Sequence, residues 1–122
     1  MSQSCDVIVI GAGAAGLMCA ASAGYRGRSV LVLDNAKKAG RKVLISGGGR
    51  CNFTNNELST DAFICANPHF VKSALSRYTA WNFLDMVERN GVAVSYPNLT
   101  LSTSDLVTAL LDTVTCQTRH TQ

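Results

Sequence analysis

Apolar and polar positions divide this chain into segments of different period, and their order indicates the fold class. Val7-Ile8-Val9-Ile10 is apolar at consecutive positions rather than alternate ones, the pattern of a parallel strand covered on both faces. Ala14 to Tyr25 is rich in small residues around Leu17 and Met18 and predicts a helix lying close on a sheet. Ser29-Val30-Leu31-Val32-Leu33-Asp34 reads as a second buried strand ending in a carboxylate. Strand, helix, strand is the opening of an α/β fold with a parallel sheet. Further on, Phe70, Val71, Ala74, Leu75 and Tyr78 share one helical face behind Pro68, and Trp81, Phe83, Leu84 and Val87 continue it until Gly91. Val92 to Pro97 predicts a short strand and turn. Leu106, Val107, Leu110, Leu111 and Val114 recur at helical spacing behind Ser104, a residue type suited to cap a helix. Thr115 to Gln122 is polar and reads as a frayed end.

The junction between the first strand and the first helix carries the chemistry. It reads Gly11-Ala12-Gly13-Ala14-Ala15-Gly16, a Gly-x-Gly-x-x-Gly turn with a strand before it and a helix after it. Such a turn offers free backbone N–H groups and the positive end of a helix dipole to a pyrophosphate. Gly11 permits the tight turn, Gly13 lets a phosphate approach the backbone, and Gly16 lets the helix pack against the strand. Asp34 ends the second strand 23 residues after Gly11, where a carboxylate accepts the ribose hydroxyls of adenosine and repels a 2′-phosphate. The reading is a dinucleotide site. A purely structural turn and an S-adenosylmethionine site in a methyltransferase-like sheet are the alternatives.

Composition narrows the class. With 47% hydrophobic and 16% charged residues over 122 positions, the chain suits one globular domain at most rather than disorder. A net charge of +3 does not call for a nucleic-acid partner, and no apolar run approaches a membrane span. The apolar stretch before Ala21-Ser22-Ala23 imitates a secretory signal, but Asp6 precedes it, no Lys or Arg does, and glycines interrupt it. Seven of the eleven basic residues (Arg26, Arg28, Lys37, Lys38, Arg41, Lys42 and Arg50) are opposed in their interval only by Asp34. The cluster is a solvated face, or steers an anionic ligand toward the turn. Five cysteines form no Cys-x-x-Cys pair and no metal-ligand spacing, so no metal site is expected and the odd count suits a reducing cytoplasm. Cys5 and Cys19 are read as small buried hydrophobes. His69 and His120 are too far apart in sequence to suggest a catalytic pair.

Beyond Asp34 the chain departs from a plain nicotinamide-binding pattern. Ser46-Gly47-Gly48-Gly49-Arg50-Cys51-Asn52 makes a loop with many accessible amides and wide backbone freedom, able to wrap an anion or press against a flat ring. A flexible surface loop is the alternative. The longer stretch Gly40-Arg41-Lys42-Val43-Leu44-Ile45-Ser46-Gly47-Gly48-Gly49-Arg50-Cys51-Asn52-Phe53-Thr54-Asn55 resembles the signature of a bacterial flavoprotein family. These are the YhiN-type and BaiN-type proteins, described as NAD(P)/FAD-dependent or aminoacetone-oxidase-family FAD-binding enzymes. The resemblance runs from the N-terminal glycine turn through Asn67-Pro68-His69-Phe70 and Ser73 to Tyr78, to about Gly91.

That resemblance implies FAD, with Gly11, Gly13, Ala15 and Gly16 at the pyrophosphate, Asp34 and Asn35 at the adenosine end, and Arg41 and Lys42 closing over it. Gly47, Gly48, Gly49, Arg50, Cys51 and Asn52 would approach the phosphates or the flavin. Cys51 is read as a packing residue in preference to a redox thiol, and the aromatics of 70–83 as core in preference to a flavin box. Family members are several times longer, with later strands returning to the same sheet and an inserted substrate-covering domain. The expectation is therefore the N-terminal portion, truncated, of a Rossmann-like FAD-binding domain: a βαβ unit at 1–34, a glycine-rich cofactor loop at 35–57 and a helical segment at 58–122. Its activity would be hydride transfer between flavin and a small organic substrate, with NAD(P)H as a possible electron donor. No side chain is identified as a general acid or base. The rival reading is a non-catalytic nucleotide-binding fragment or a truncated gene remnant. Exposed apolar surface would favour self-association, because two strands are too few for an independent sheet.

Overall fold

The computed structural model describes residues 4–52, 54–55, 57–94 and 100–112. In chain order the elements are β1 (Val7–Ile10), α1 (Ala14–Tyr25), β2 (Val30–Leu33), α2 (Arg41–Ile45), β3 (Arg50–Asn52), α3 (Lys72–Arg77), α4 (Ala80–Arg89), β4 (Thr100–Ser102) and α5 (Thr103–Asp112). Short 3₁₀ turns lie at Ser46–Gly49 and Thr60–Ala62. The chain divides into two compact units, one of residues 1–51 and 102–122, the other of residues 52–101. The division falls within β3 and β4, which pair as a two-stranded sheet.

In the first unit β1 and β2 are parallel, with Val7 opposite Val30 and Ile10 opposite Leu33. Asp6 and Ser29 fix that register at its start. Asp6 N–H donates to the Ser29 hydroxyl at 2.9 Å, and Ser29 returns its N–H and its O–H to Asp6 Oδ2 at 2.8 and 2.9 Å. Successive strand side chains point to opposite faces. Val9, Val30 and Val32 are buried together with Leu17, Ala20 and Ala21 of α1. Leu106, Val107, Ala109 and Leu110 of α5 are also buried, and α5 contacts both α1 and α2. The other face differs from the two-sided burial expected of these strands, with Ile8 60% and Ile10 88% exposed. A consecutive apolar run does not distinguish a strand covered on both faces from one covered on one. Here α1 covers a single face.

Cys19 is exposed and Cys5 is half-buried, against the expectation of two buried thiols. Cys19 lies two residues on from Leu17, about 200° around the helix and so away from the face that meets the sheet. The C-terminal helix begins at Thr103, two residues earlier than a cap at Ser104 implies, which puts Ser104 inside its first turn. Thr103 is buried, and its hydroxyl donates to the Leu44 carbonyl at 3.0 Å, joining α5 to α2. Val114 and the polar end at 115–122 lie outside the described residues, as do Ser95, Tyr96 and Pro97 of the expected strand and turn; Val92 to Val94 form no strand.

In the second unit the single helical run expected through residues 70–87 is two helices. Thr79 interrupts it with a capping box. Asn82 N–H donates to Thr79 Oγ1 at 3.3 Å, and Thr79 N–H donates to Asn82 Oδ1 at 2.8 Å. The interruption resets the helical phase, so the aromatics do not share one inward face. Leu84, Met86 and Val87 of α4 are buried, whereas Phe70 and Trp81 are mostly exposed.

Candidate functional site

The glycine turn is built as its spacing requires. Gly11 has φ +102° and donates its N–H to the Leu33 carbonyl at 2.7 Å, tying the turn to the end of β2. Gly16 is needed for close approach: a Cβ there would stand 1.8 Å from the Gly11 carbonyl oxygen and 3.4 Å from Val9. Around Gly13 the space is open, and a Cβ there would have nothing within 4 Å. Gly13 caps α1 with extended backbone, and its carbonyl accepts the Leu17 N–H at 2.9 Å. The orphan N–H groups of the first turn of α1 therefore start at exposed backbone, with Gly13 and Ala15 both at the surface.

Asp34 does more than stand at the end of β2. Its Oδ2 accepts the Ala12 N–H at 2.5 Å and its Oδ1 accepts the Ala36 N–H at 2.6 Å, so the carboxylate binds the glycine turn to the segment that follows β2. That segment returns to the turn a second time, as Gly40 N–H donates to the Ala12 carbonyl at 2.7 Å. Ala12 is buried and held by both of its backbone polar groups. Gly40, at φ +67°, caps α2 with its Cα against Val107 and Leu17.

The outer side of the same segment lines a groove of about 650 Å³, formed by Asn35, Ala36, Lys37, Lys38, Arg41, Leu44 and Ile45. Its lining thus combines three cations with the apolar Ala36, Leu44 and Ile45. Ile45 is 72% exposed within it. Such a lining suits a flat apolar group bearing negative charge.

The triple glycine follows directly. Gly47, Gly48 and Gly49 have φ of +56°, +64° and +95°, and none would meet a neighbour through a Cβ. They are selected by backbone conformation, in an exposed turn that leads into β3. Arg50 is exposed and Cys51 is buried. Burial pushes the Cys51 thiol up from its ordinary value, which favours the packing role over a reactive thiolate.

The structure thus brings Gly11, Gly13, Gly16 and Asp34 into one bonded turn, with Asn35 and Arg41 on the adjoining groove. Lys42 is exposed and is not part of the groove lining. Asn52 falls in the second unit. Sequence reasoning missed Gly40 as a member of the turn, although an isolated glycine between β2 and a basic helix start was a signal for a left-handed cap. It also missed Asp6 and Ser29. Among the described residues no group of three or more His, Cys, Asp or Glu side chains could hold a metal, and no helix is long and apolar enough to cross a membrane.

Comparison with known proteins bears out the fold class. The HI0933-like protein Rossmann domain matches residues 5–115, and the chain belongs to that family. It is 59% identical over 88 residues to the ribosomal RNA dihydrouridine synthase of Escherichia coli K12, covering 72% of this chain and 22% of that protein. The protein of the same name from Haemophilus influenzae Rd is 58% identical over 92 residues, 75% of this chain and 23% of its own length. The 3-dehydro-bile acid delta(4,6)-reductase of Clostridium scindens is 31% identical over 72 residues, 57% of this chain and 18% of its own length. The chain spans about a fifth of the length of the curated relatives it matches.

Proposed function

We propose that this member of the HI0933-like Rossmann family is the FAD-holding part of a flavin-dependent oxidoreductase, and that the whole protein reduces a uracil ring within ribosomal RNA. The observation that carries the cofactor reading is the open space around Gly13 at the start of α1, in a turn whose Ala12 amide is held by Asp34. When bound, FAD supplies hydride transfer between its ring and the substrate. The chain's own residues bind and orient it. Amides at Gly13, Ala15 and Gly16 meet the pyrophosphate, assisted by the α1 dipole. Asp34 meets the adenosine ribose, with Asn35 and the groove beside it taking the rest of the nucleoside. Lys37, Lys38 and Arg41 draw the dianionic cofactor inward, and Lys42 adds to that field. Gly47 to Cys51 approach the phosphates or the flavin with backbone amides. NAD(P)H serves as electron donor, and the four free cysteines among the described residues favour a reducing cytoplasm as the protein's compartment.

The RNA substrate is drawn from the names of two relatives near 60% identity. A dihydrouridine product requires reduction of a ring double bond, and a reductase of unsaturated rings is also named among the more distant relatives. The modest net charge of this chain argued against nucleic acid, but it describes a stretch matching only about a fifth of those relatives. Two measurements test the proposal. Purified chain is expected to carry a flavin spectrum through gel filtration, and a colourless chain that also ignores FAD in calorimetry leaves only the non-catalytic fragment reading. Cells lacking the gene are expected to lose dihydrouridine from their ribosomal RNA and to regain it on complementation; unchanged dihydrouridine refutes the substrate.

A further inference from the structure

Two consecutive peptide planes of the glycine turn are fixed by residues outside the fingerprint. A trans peptide points its C=O and its N–H in opposite directions. In the plane joining Gly11 and Ala12, the N–H of Ala12 is held by Asp34 Oδ2, so the Gly11 carbonyl is turned the other way. It is the atom that a Cβ on Gly16 would strike. In the plane joining Ala12 and Gly13, the Ala12 carbonyl is held by Gly40 N–H at 2.7 Å. The Gly13 N–H is therefore directed away from Gly40, at an exposed residue with open space around its Cα.

Gly40 is itself held hard. Its φ of +67° is one that side chains other than hydrogen disfavour. A Cβ there would stand 2.6 Å from Val107 Cγ2 and 3.5 Å from Leu17 Cδ1. A line of direct contacts thus runs from Val107 on α5, through Gly40 and Ala12, to the amide of Gly13. We infer that Gly40 is a positioning residue for the dinucleotide: by holding the Ala12 carbonyl, it sets the direction in which Gly13 N–H meets the pyrophosphate. The inference rests on the FAD reading above and adds to it a residue and a direction. The donor is oriented before the cofactor arrives, so binding does not have to order it.

The test compares the wild-type chain with Gly40→Ala combined with Val107→Ala. The second change removes the methyl groups that the new Cβ would strike and leaves the backbone conformation as the main disturbance. Calorimetric titration uses ADP and adenosine as probes. Losing one well-aligned hydrogen bond to a charged group predicts a fall in ADP affinity of roughly tenfold to a hundredfold, with adenosine affinity unchanged because it carries no phosphate. Equal losses for both ligands mean a merely structural role and overturn the inference, as does unchanged ADP affinity. A wild-type chain that binds neither ADP nor FAD removes the cofactor reading, and the inference with it. Should the double variant fail to fold, amide exchange in the unliganded wild type decides. The Gly40 amide, which donates to the Ala12 carbonyl, is expected to exchange slowly. A Gly40 amide exchanging as fast as that of exposed Gly47 overturns the inference.

Discussion

One methyl group separates the duties of Gly13 and Gly16. At Gly13 it enters open space on a backbone with φ of −79°, so the fold tolerates it. Alanine is a poorer cap than glycine, and the expected cost of Gly13→Ala is about 1 kcal/mol or less. That methyl stands where a phosphate would approach, and FAD affinity is expected to fall about tenfold or more as a charge-assisted hydrogen bond is lost. At Gly16 the same atom lands 1.8 Å from a carbonyl oxygen, and Gly16→Ala is expected to cost about 3 kcal/mol or more through forced backbone movement. Urea unfolding and flavin titration on both variants check the split; a Gly13→Ala chain that binds FAD normally contradicts it. Asp6 supplies a second residue-scale expectation. Its carboxyl is held below its ordinary value of 3.8 chiefly by the Ser29 backbone N–H, then by the Ser29 hydroxyl, with Arg28 adding attraction and burial opposing. A depressed carboxyl stabilises the fold above its unfolded value, and that contribution disappears as pH falls through the folded value. Asp6→Ala is thus expected to lower the urea midpoint at neutral pH, with the gap to wild type closing as pH drops below 3.8. A gap that stays constant down to strongly acid pH rules the carboxylate out as its source.

Elements differ in how plainly their residues announce them. β1, α1 and β2 were legible because three patterns agree: consecutive apolar residues, a small-residue helix and a glycine turn between them. The outward face of the two strands was not legible, since side-chain composition alone does not say how many layers cover a sheet. α2 is only Arg41–Ile45, little more than one turn, and too short to show a period. It was subsumed in the glycine-rich stretch whose polar and glycine residues dominate the reading. The break between α3 and α4 was missed for a chemical reason. Asn82 takes the place in the capping box usually held by Glu or Gln, and a Thr-x-x-Asn sequence is a weak signal. The cap is nonetheless complete in both directions. Thr79→Ala is expected to cost about 1 kcal/mol, while Thr79→Ser retains most of the stability. Amide exchange along the first turn of α4 reads the effect locally; equal exchange in Thr79→Ala and wild type contradicts it.

At the scale of the whole chain, the candidate site was largely legible by type and incompletely by connection. Gly11, Gly13, Gly16 and Asp34 were placed by spacing, but the bonds that unite them pass through Ala12 and Gly40, whose backbone groups leave no mark in a side-chain pattern. The same limit applies to the sheet. Val9 and Val32 pair on the face that α1 covers, whereas Ile8 pairs with Leu31 and Ile10 with Leu33 on the other. Ile8 and Ile10 are 60% and 88% exposed there, on a parallel sheet of only two strands. Parallel sheets elsewhere bury both faces, and contiguous exposed apolar surface promotes association. The chain on its own is accordingly expected to sediment above its monomer mass of 12.9 kDa, increasingly so with concentration. Replacing Ile8 and Ile10 together by Thr keeps a strand-forming, β-branched residue at each position while reducing the apolar area. That variant is expected to shift toward the monomer with the far-UV spectrum of the wild type retained. Association unaffected by the double substitution would move its cause to other exposed apolar residues, of which Ile45, Ile64 and Phe70 are the most exposed.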